Sequence, residues 1–200
     1  MGLEVRLARE SDAAGVLSIY VPIVESTAIS FELEPPSLDD VRRRIAHGSS
    51  WPFLVCAEDD TTLGYAYAVP FRDRPAYRFT VESTVYVAQD ARRRGVARGL
   101  YRSLLGCLEL QGFARVIAGI TLPNPASVAL HERLGFRPCA HLERVGWKLG
   151  AWHDVGYWAR GLGSRSTVAA PAREPCRTEE IVADSAFAAA VRAGAADLER

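Results

Sequence analysis

The stretch from Arg78 to Gln111 constrains this 200-residue chain more than any other. Side chains alternate between Arg78 and Val87, with Val81, Ser83, Val85 and Val87 on one face and Glu82, Thr84 and Tyr86 on the other. That period of two belongs to an extended strand. From Val96 the apolar spacing becomes helical, with Leu100, Leu104 and Leu108 on one side and Gly112 placed as the stop. Between the two lies Arg92-Arg93-Arg94-Gly95-Val96-Ala97-Arg98-Gly99, a basic turn with little side-chain bulk at Gly95 and Ala97.

The remaining elements fall in place around this unit. Leu3–Ala8 alternates as a short strand, and Ser11-Asp12 offers an N-cap for a helix from about Ala13 to Glu25. Pro35-Pro36 breaks the chain, Ser37 caps a second helix to about His47, and Gly48 ends it. Phe53–Glu58 and Leu63–Phe71 read as a hairpin turning at Asp59-Asp60-Thr61-Thr62, and the loop Arg72–Ala76 leads to Arg78–Val87, the longest strand expected. After the Val96–Gln111 helix come a strand at Arg115–Thr121, a short helix at Ala126–Leu134, and strands at Phe136–Lys148 and Trp152–Arg160. The order predicts α and β elements mixed around one sheet, without internal repeats.

At Gly163 the composition changes. Gly163–Arg177 is rich in Ser, Ala, Pro and Arg and reads as a linker. Thr178–Arg200 has helical character, but its apolar stripe of Phe187, Val191 and Leu198 is thin, so a loosely docked or mobile tail is expected instead of a second domain.

Composition narrows the function. Twenty-four basic and twenty-four acidic residues cancel, which argues against a dedicated nucleic-acid binder. No apolar run reaches the ~18 residues of a membrane span, and Met1–Arg9 lacks a signal-peptide pattern, so a cytoplasmic protein is expected. Cys56, Cys107, Cys139 and Cys176 form no C-x-x-C pair, so no metal site is expected; the first three, among apolar neighbours, read as buried. Lys148 is the single lysine among the twenty-four basic residues, and in so arginine-rich a chain a run of arginines is weak evidence of function.

A glycine-bearing turn before a helix presents several backbone N–H groups at the positive helix terminus, a cradle for pyrophosphate. Gly95 and Ala97 allow close approach, and the flanking arginines add charge. The spacing is neither G-x-G-x-x-G nor a Walker motif, which disfavours a dinucleotide or ATP. Downstream, Asn124 ends a strand and opens the next helix, with His131 about two turns along it. Taken alone, such a histidine is more often a surface or satisfied helix residue than a catalyst.

Arg92-x-x-Gly95-x-Ala97 after a strand resembles the R/Q-x-x-G-x-G/A signature of the GNAT acetyltransferase superfamily, and Asn124 through Gly135-Phe136 resembles the strand–helix element that follows it. The chain resembles phosphinothricin (methionine sulfoximine) N-acetyltransferases more closely still. This resemblance is carried by Thr80–Val87, Leu122-Pro123-Asn124, Leu130-His131-Glu132 and Trp152-His153-Asp154-Val155-Gly156, and covers about Leu3 to Leu162.

The resemblance implies an α/β (α+β) GNAT-type domain, its mixed, mainly antiparallel sheet splayed at the acetyl-CoA site and flanked by helices. It implies that the backbone of Val85, Tyr86 and Val87 holds the pantetheine arm and that Arg93, Arg94, Gly95, Val96, Ala97 and Arg98 wrap the pyrophosphate. Asn124 then contacts the pantetheine region, and Arg133 the coenzyme further out. The implied reaction is direct acetyl transfer to an amine, with no metal. Glu82 matches the family's general base, and His131 takes an acid/base or substrate-orienting role. Phe31, Glu32, Arg72, Arg74 and Tyr77 are the implied acceptor-binding residues, the two arginines engaging a carboxylate and a phosphinyl or sulfoximine oxygen. His153 and Asp154 read as structural. The family also implies a homodimer.

Two other readings stay open at this stage: a GNAT enzyme for another amine (an amino acid, a polyamine or a peptide N-terminus), and a non-catalytic acyl-CoA-binding module.

Overall fold

A computed structural model describes residues 2–163 and 173–199. Its centre is one seven-stranded sheet in the order β1-β2-β3-β4-β5-β7-β6. The strands are β1 (Leu3–Leu7), β2 (Phe53–Glu58), β3 (Thr61–Pro70), β4 (Thr80–Val87), β5 (Arg115–Leu122), β6 (Arg137–Lys148) and β7 (Ala151–Gly161). Every neighbouring pair is antiparallel except β4 and β5, which run parallel. The helices are α1 (Ala13–Ser26), α2 (Leu38–Ala46), α3 (Val96–Gln111), α4 (Pro125–Arg133), α5 (Thr178–Ile181) and α6 (Ser185–Ala193).

The alternation of strand side chains sorts the core into two layers. Phe53 and Val55 of β2 pack with Val16, Tyr20 and Val24 of α1 and Val41 of α2. Leu54 and Cys56 point the other way, into a larger cluster with Leu100, Leu104 and Leu108 of α3 and Val116 and Ala118 of β5. Glycines bracket α3: Gly95 at its start has φ 78° and Gly112 at its end φ 93°, left-handed values open to glycine at little cost. Ser37 caps α2 as expected, its Oγ accepting from the Asp40 N–H at 3.1 Å.

Several expectations are corrected. The β2–β3 turn is only Asp59-Asp60, so Thr61 and Thr62 are already paired in the ladder. At eight residues β4 is not the longest strand; β6 has twelve, because β6 and β7 form an extended terminal hairpin that a local pattern does not measure. Asp12 does not cap α1. Its carboxylate takes two bonds from the Arg6 guanidinium, at 2.7 and 2.8 Å, and one from the Arg9 N–H. Cys139 is exposed, since it lies on β6 at the sheet edge, with no layer covering it.

The C-terminal segment also differs. Residues 164–172 of the expected linker lie outside the described residues. Beyond them the chain docks on α3: Phe187 is 1% and Val191 7% exposed, both within the larger core cluster. The thin stripe suffices because α3 presents small residues to it. Ser103 Oγ donates to the Val191 carbonyl at 2.6 Å and accepts from the Gly194 N–H at 3.0 Å.

Candidate active site

The parallel pairing of β4 with β5 spans only Thr80–Arg115, Val81–Val116 and Glu82–Ile117. Beyond Glu82 the two strands part. Over Ser83–Val87 β4 remains paired with β3, while among the described residues its β5-facing edge has no strand partner. A row of backbone donors and acceptors there is free to bind an extended ligand.

Glu82 sits where the split begins. Its Oε1 lies 3.3 Å from where a Cβ on Gly119 of β5 would be, so the absence of a side chain at Gly119 gives the carboxylate its room. Burial lifts the Glu82 carboxyl above the ordinary carboxylate range, against a smaller opposing pull from the Arg72 guanidinium. Arg72 itself stacks over Phe71 at 4.2 Å and donates to the Phe71 carbonyl.

On the opposite face of β4, Ser83 Oγ is 3.2 Å from the Tyr101 hydroxyl, which is 2.7 Å from His131 Nε2. His131 Nδ1 lies 2.8 Å from the Ser127 carbonyl, which can only accept. Nδ1 therefore carries the proton, and Nε2 accepts from Tyr101. Burial lowers the ring's pKa below the usual histidine value, against the Ser127 bond, so the imidazole is neutral at pH 7.

Past the end of β4, Arg93 (φ 65°) and Gly95 (φ 78°) both adopt left-handed backbone geometry. The turn leads directly into the first free N–H groups of the 16-residue α3. Residues 5–156 match the family described as acetyltransferase (GNAT) domain. The chain belongs to the GNAT acetyltransferase family.

Among GNAT relatives, the chain is 41% identical over 162 residues to phosphinothricin N-acetyltransferase of Streptomyces viridochromogenes, a match covering 79% of this chain and 87% of that protein. It is 33% identical to the L-methionine sulfoximine/L-methionine sulfone acetyltransferase of Pseudomonas aeruginosa, over 81% of this chain and 96% of that one. The crystal structure of a GNAT superfamily phosphinothricin acetyltransferase from Sinorhizobium meliloti, in complex with acetyl-CoA, superposes with a TM-score of 0.81. That match is 34% identical and covers 88% of this chain and 96% of that one. The protein is an N-acetyltransferase, and acetyl-CoA is its cosubstrate.

The GNAT scaffold brings some of the expected residues together. Val85, Tyr86 and Val87 line the unpaired edge; Val85 faces the α3 layer, and Tyr86 packs at a tilt against Tyr20 at 5.1 Å and Tyr65 at 5.5 Å on the α1 side. Gly95, Val96, Ala97 and Arg98 open α3. The Val96 side chain is buried, leaving only its backbone at the surface of the turn. Arg94 turns its guanidinium to Glu58 of β2 at 3.1 Å. Asn124 caps α4, its Oδ1 accepting from the Ser127 N–H, which leaves its amide hydrogens for other partners. Arg133 lies exposed at the end of α4, and Arg93 is likewise exposed.

The acceptor candidates divide. Arg72 lies within electrostatic reach of Glu82. Tyr77 meets Phe71 edge-on at 5.9 Å, and Arg74 is exposed just before it. Glu32 pairs with Arg44 at 2.8 Å, and its charge reaches Tyr20, Tyr67 and Tyr86 on the α1 face. Phe31 packs its ring onto Gly146 of β6. His153 and Asp154 bond within the β6–β7 hairpin: His153 to the Lys148 carbonyl, Asp154 to His141 and the Arg144 N–H. Among the described residues, no group of three His, Cys, Asp or Glu side chains is placed to hold a metal ion.

Sequence reasoning missed Tyr101, Ser83, Gly119 and Lys148. Lys148 is 4% exposed, and its ammonium donates to the Ser30 carbonyl at 2.7 Å while Tyr20 bonds Ser30 Oγ, so both fix the entry to Phe31 and Glu32. Its being the chain's only lysine was the available signal.

Proposed function

We propose that this enzyme acetylates the amino group of a small amino-acid analogue, of the kind represented by phosphinothricin, methionine sulfoximine and methionine sulfone, by direct transfer. The observation that carries the proposal is a half-buried carboxylate, Glu82, beside Gly119 at the point where β4 and β5 part. The names of the relatives support the acceptor class.

Bound acetyl-CoA supplies an acetyl group activated as a thioester. The acceptor must lose a proton first, since an α-amino group of pKa ~8 is only about a tenth neutral at pH 7. Glu82, with its raised pKa, is suited to take that proton, directly or through one water. A backbone N–H of Val85 or Tyr86 on the open edge supplies a donor for the developing oxyanion. Arg72, whose charge acts on Glu82, meets the acceptor carboxylate in this reading; Arg74, Tyr77, Phe31 and Glu32 complete the proposed pocket. Asn124 and the 93–98 turn hold the coenzyme, with Arg133 further out. His131 takes the orienting role, since in its neutral tautomer Nε2 has no proton to give, and it fixes the Tyr101 hydroxyl.

We further read the enzyme as a homodimer. The exposed Val145, Trp147, Leu149 and Trp152 at the β6–β7 end form an apolar patch of the sort that a second copy covers.

Free-thiol release from acetyl-CoA tests the acceptor, with phosphinothricin, methionine sulfoximine, methionine sulfone and ordinary amino acids offered separately. Release confined to the analogues is the expected result. Equal release with ordinary amino acids would replace the proposed acceptor by a general amino-acid one.

A further inference from the structure

The last described residues of the chain lie against the start of α3. A Cβ on Gly95 would overlap the Asp197 carbonyl, and one on Gly99 would come within 2.6 Å of the Gly194 carbonyl. The glycine that allows close approach to this turn is thus already approached, by the protein's own C-terminal segment. The Glu199 N–H donates to the Arg94 carbonyl at 3.0 Å. Arg98 donates to the Asp197 carbonyl at 3.0 Å, and the Asp197 carboxylate lies 3.0 Å from Arg98 Nε and 3.1 Å from Arg102 Nη1. Asp197 is the more buried partner, its side chain 15% exposed against 53% and 55% for the two arginines.

We propose that residues 194–199 form a strap that competes with acetyl-CoA for the cationic start of α3, and that Asp197 sets the affinity for the coenzyme. The inference rests on the reading that the 93–98 turn holds the coenzyme's phosphates.

Three observations carry it. First, a carboxylate on Arg98 and Arg102 occupies the donors that a phosphate would use, and its charge repels one. Second, the strap is tethered: Phe187 and Val191 anchor α6 in the core, and Ser103 holds the Val191 carbonyl and the Gly194 N–H. Its local concentration at the turn is therefore high, yet only residues after the anchor need to move to release it. Third, the strap lies outside residues 5–156, the part that matches the family, so displacing it leaves the shared domain intact.

Because one carboxylate opposes several phosphate charges, saturating coenzyme displaces the strap. The coupling is reciprocal: the factor by which the strap weakens coenzyme binding is the factor by which coenzyme weakens the strap.

Calorimetric titration of acetyl-CoA into the wild-type protein and Asp197→Asn measures the effect. The asparagine keeps the shape of the contact and removes its charge. Affinity is expected to rise about three- to tenfold at low ionic strength, with the gap narrowing in high salt. Hydrogen exchange on the wild-type protein, with and without acetyl-CoA, separates the two layers of the argument. Protection of amides 95–98 together with faster exchange at Glu199 is the expected result. Protection of 95–98 with the Glu199 amide unchanged or slower, or an Asp197→Asn variant that binds no tighter, overturns the strap and leaves the turn as the coenzyme site. Absence of protection at 95–98 removes the turn reading and the strap with it.

Discussion

The Tyr101 hydroxyl donates to His131 Nε2 across 2.7 Å in a part of the core where Tyr101 is fully buried and His131 is 3% exposed. The two residues are thirty positions apart, on α3 and α4, and they join the helices behind the open edge of β4. Tyr101→Phe keeps the ring packing against His131 and Phe136 but leaves a buried imidazole nitrogen without its donor. A stability loss of about 1–3 kcal/mol is expected. In a chain of this size that lowers Tm by about 2–4 °C per kcal/mol. Thermal unfolding by circular dichroism checks it, and an unchanged Tm would mean that His131 finds another partner.

The same pair makes stability depend on pH. Burial keeps the folded-state pKa of His131 below the usual histidine value, so the unfolded chain takes up the proton first as pH falls. The contribution of the neutral ring is fully present above the ordinary histidine range and is lost as pH drops through the lower folded value. Denaturant midpoints measured downward from pH 7.5 are expected to decline through this window. In His131→Gln the decline should be shallower, whatever the variant's absolute stability.

Gly119→Ala probes the room around the base. A methyl group there would stand 3.3 Å from Glu82 Oε1 and 3.4 Å from the Tyr157 ring, so the carboxylate has to shift by a few tenths of an ångström. Misplacement of a reacting group on this scale is expected to cut kcat about tenfold with little change in acetyl-CoA affinity. Steady-state kinetics paired with a binding titration would show it; an unaltered kcat would mean that the carboxylate's position does not limit the reaction.

Phe187→Ala measures how far the C-terminal segment belongs to the folded unit. The side chain is 1% exposed in the α3 layer, and its truncation is expected to cost about 3–5 kcal/mol. A loss below about 1 kcal/mol, within the range of surface substitutions, would return the segment to the status of a loose tail.

Much of the scaffold was legible because it is written locally. The bounds of α3 follow from two glycines and a 3.6-residue apolar spacing, and the cap of α2 from Ser37. The two faces of β4 follow from strict alternation, which also places Glu82 with Tyr86 and apart from Ser83. What could not be read depends on partners distant along the chain. Tyr101 looks like one more apolar position in a helical stripe until α4 brings His131 against it. The docking of the C-terminal segment depends on Ser103 and Gly99 on α3, which meet Val191 and Gly194, and the tail's own apolar content does not reveal it. Even Gly95, singled out as room for a ligand, is also the room that Asp197 occupies.

Glu82→Gln tests the chemistry most directly. It keeps the side chain's size and leaves the coenzyme turn untouched while removing the base. With saturating acceptor, kcat is expected to fall about 10²–10⁴-fold while acetyl-CoA binds as tightly as before. The wild-type acid limb of kcat should lie above the ordinary carboxylate range, with activity lost as pH falls through it, because the ionised form is the active one. That limb should be absent from the residual activity of the variant. A Glu82→Gln enzyme that turns over at the wild-type rate with an unchanged pH profile would contradict the assignment of Glu82 as the base.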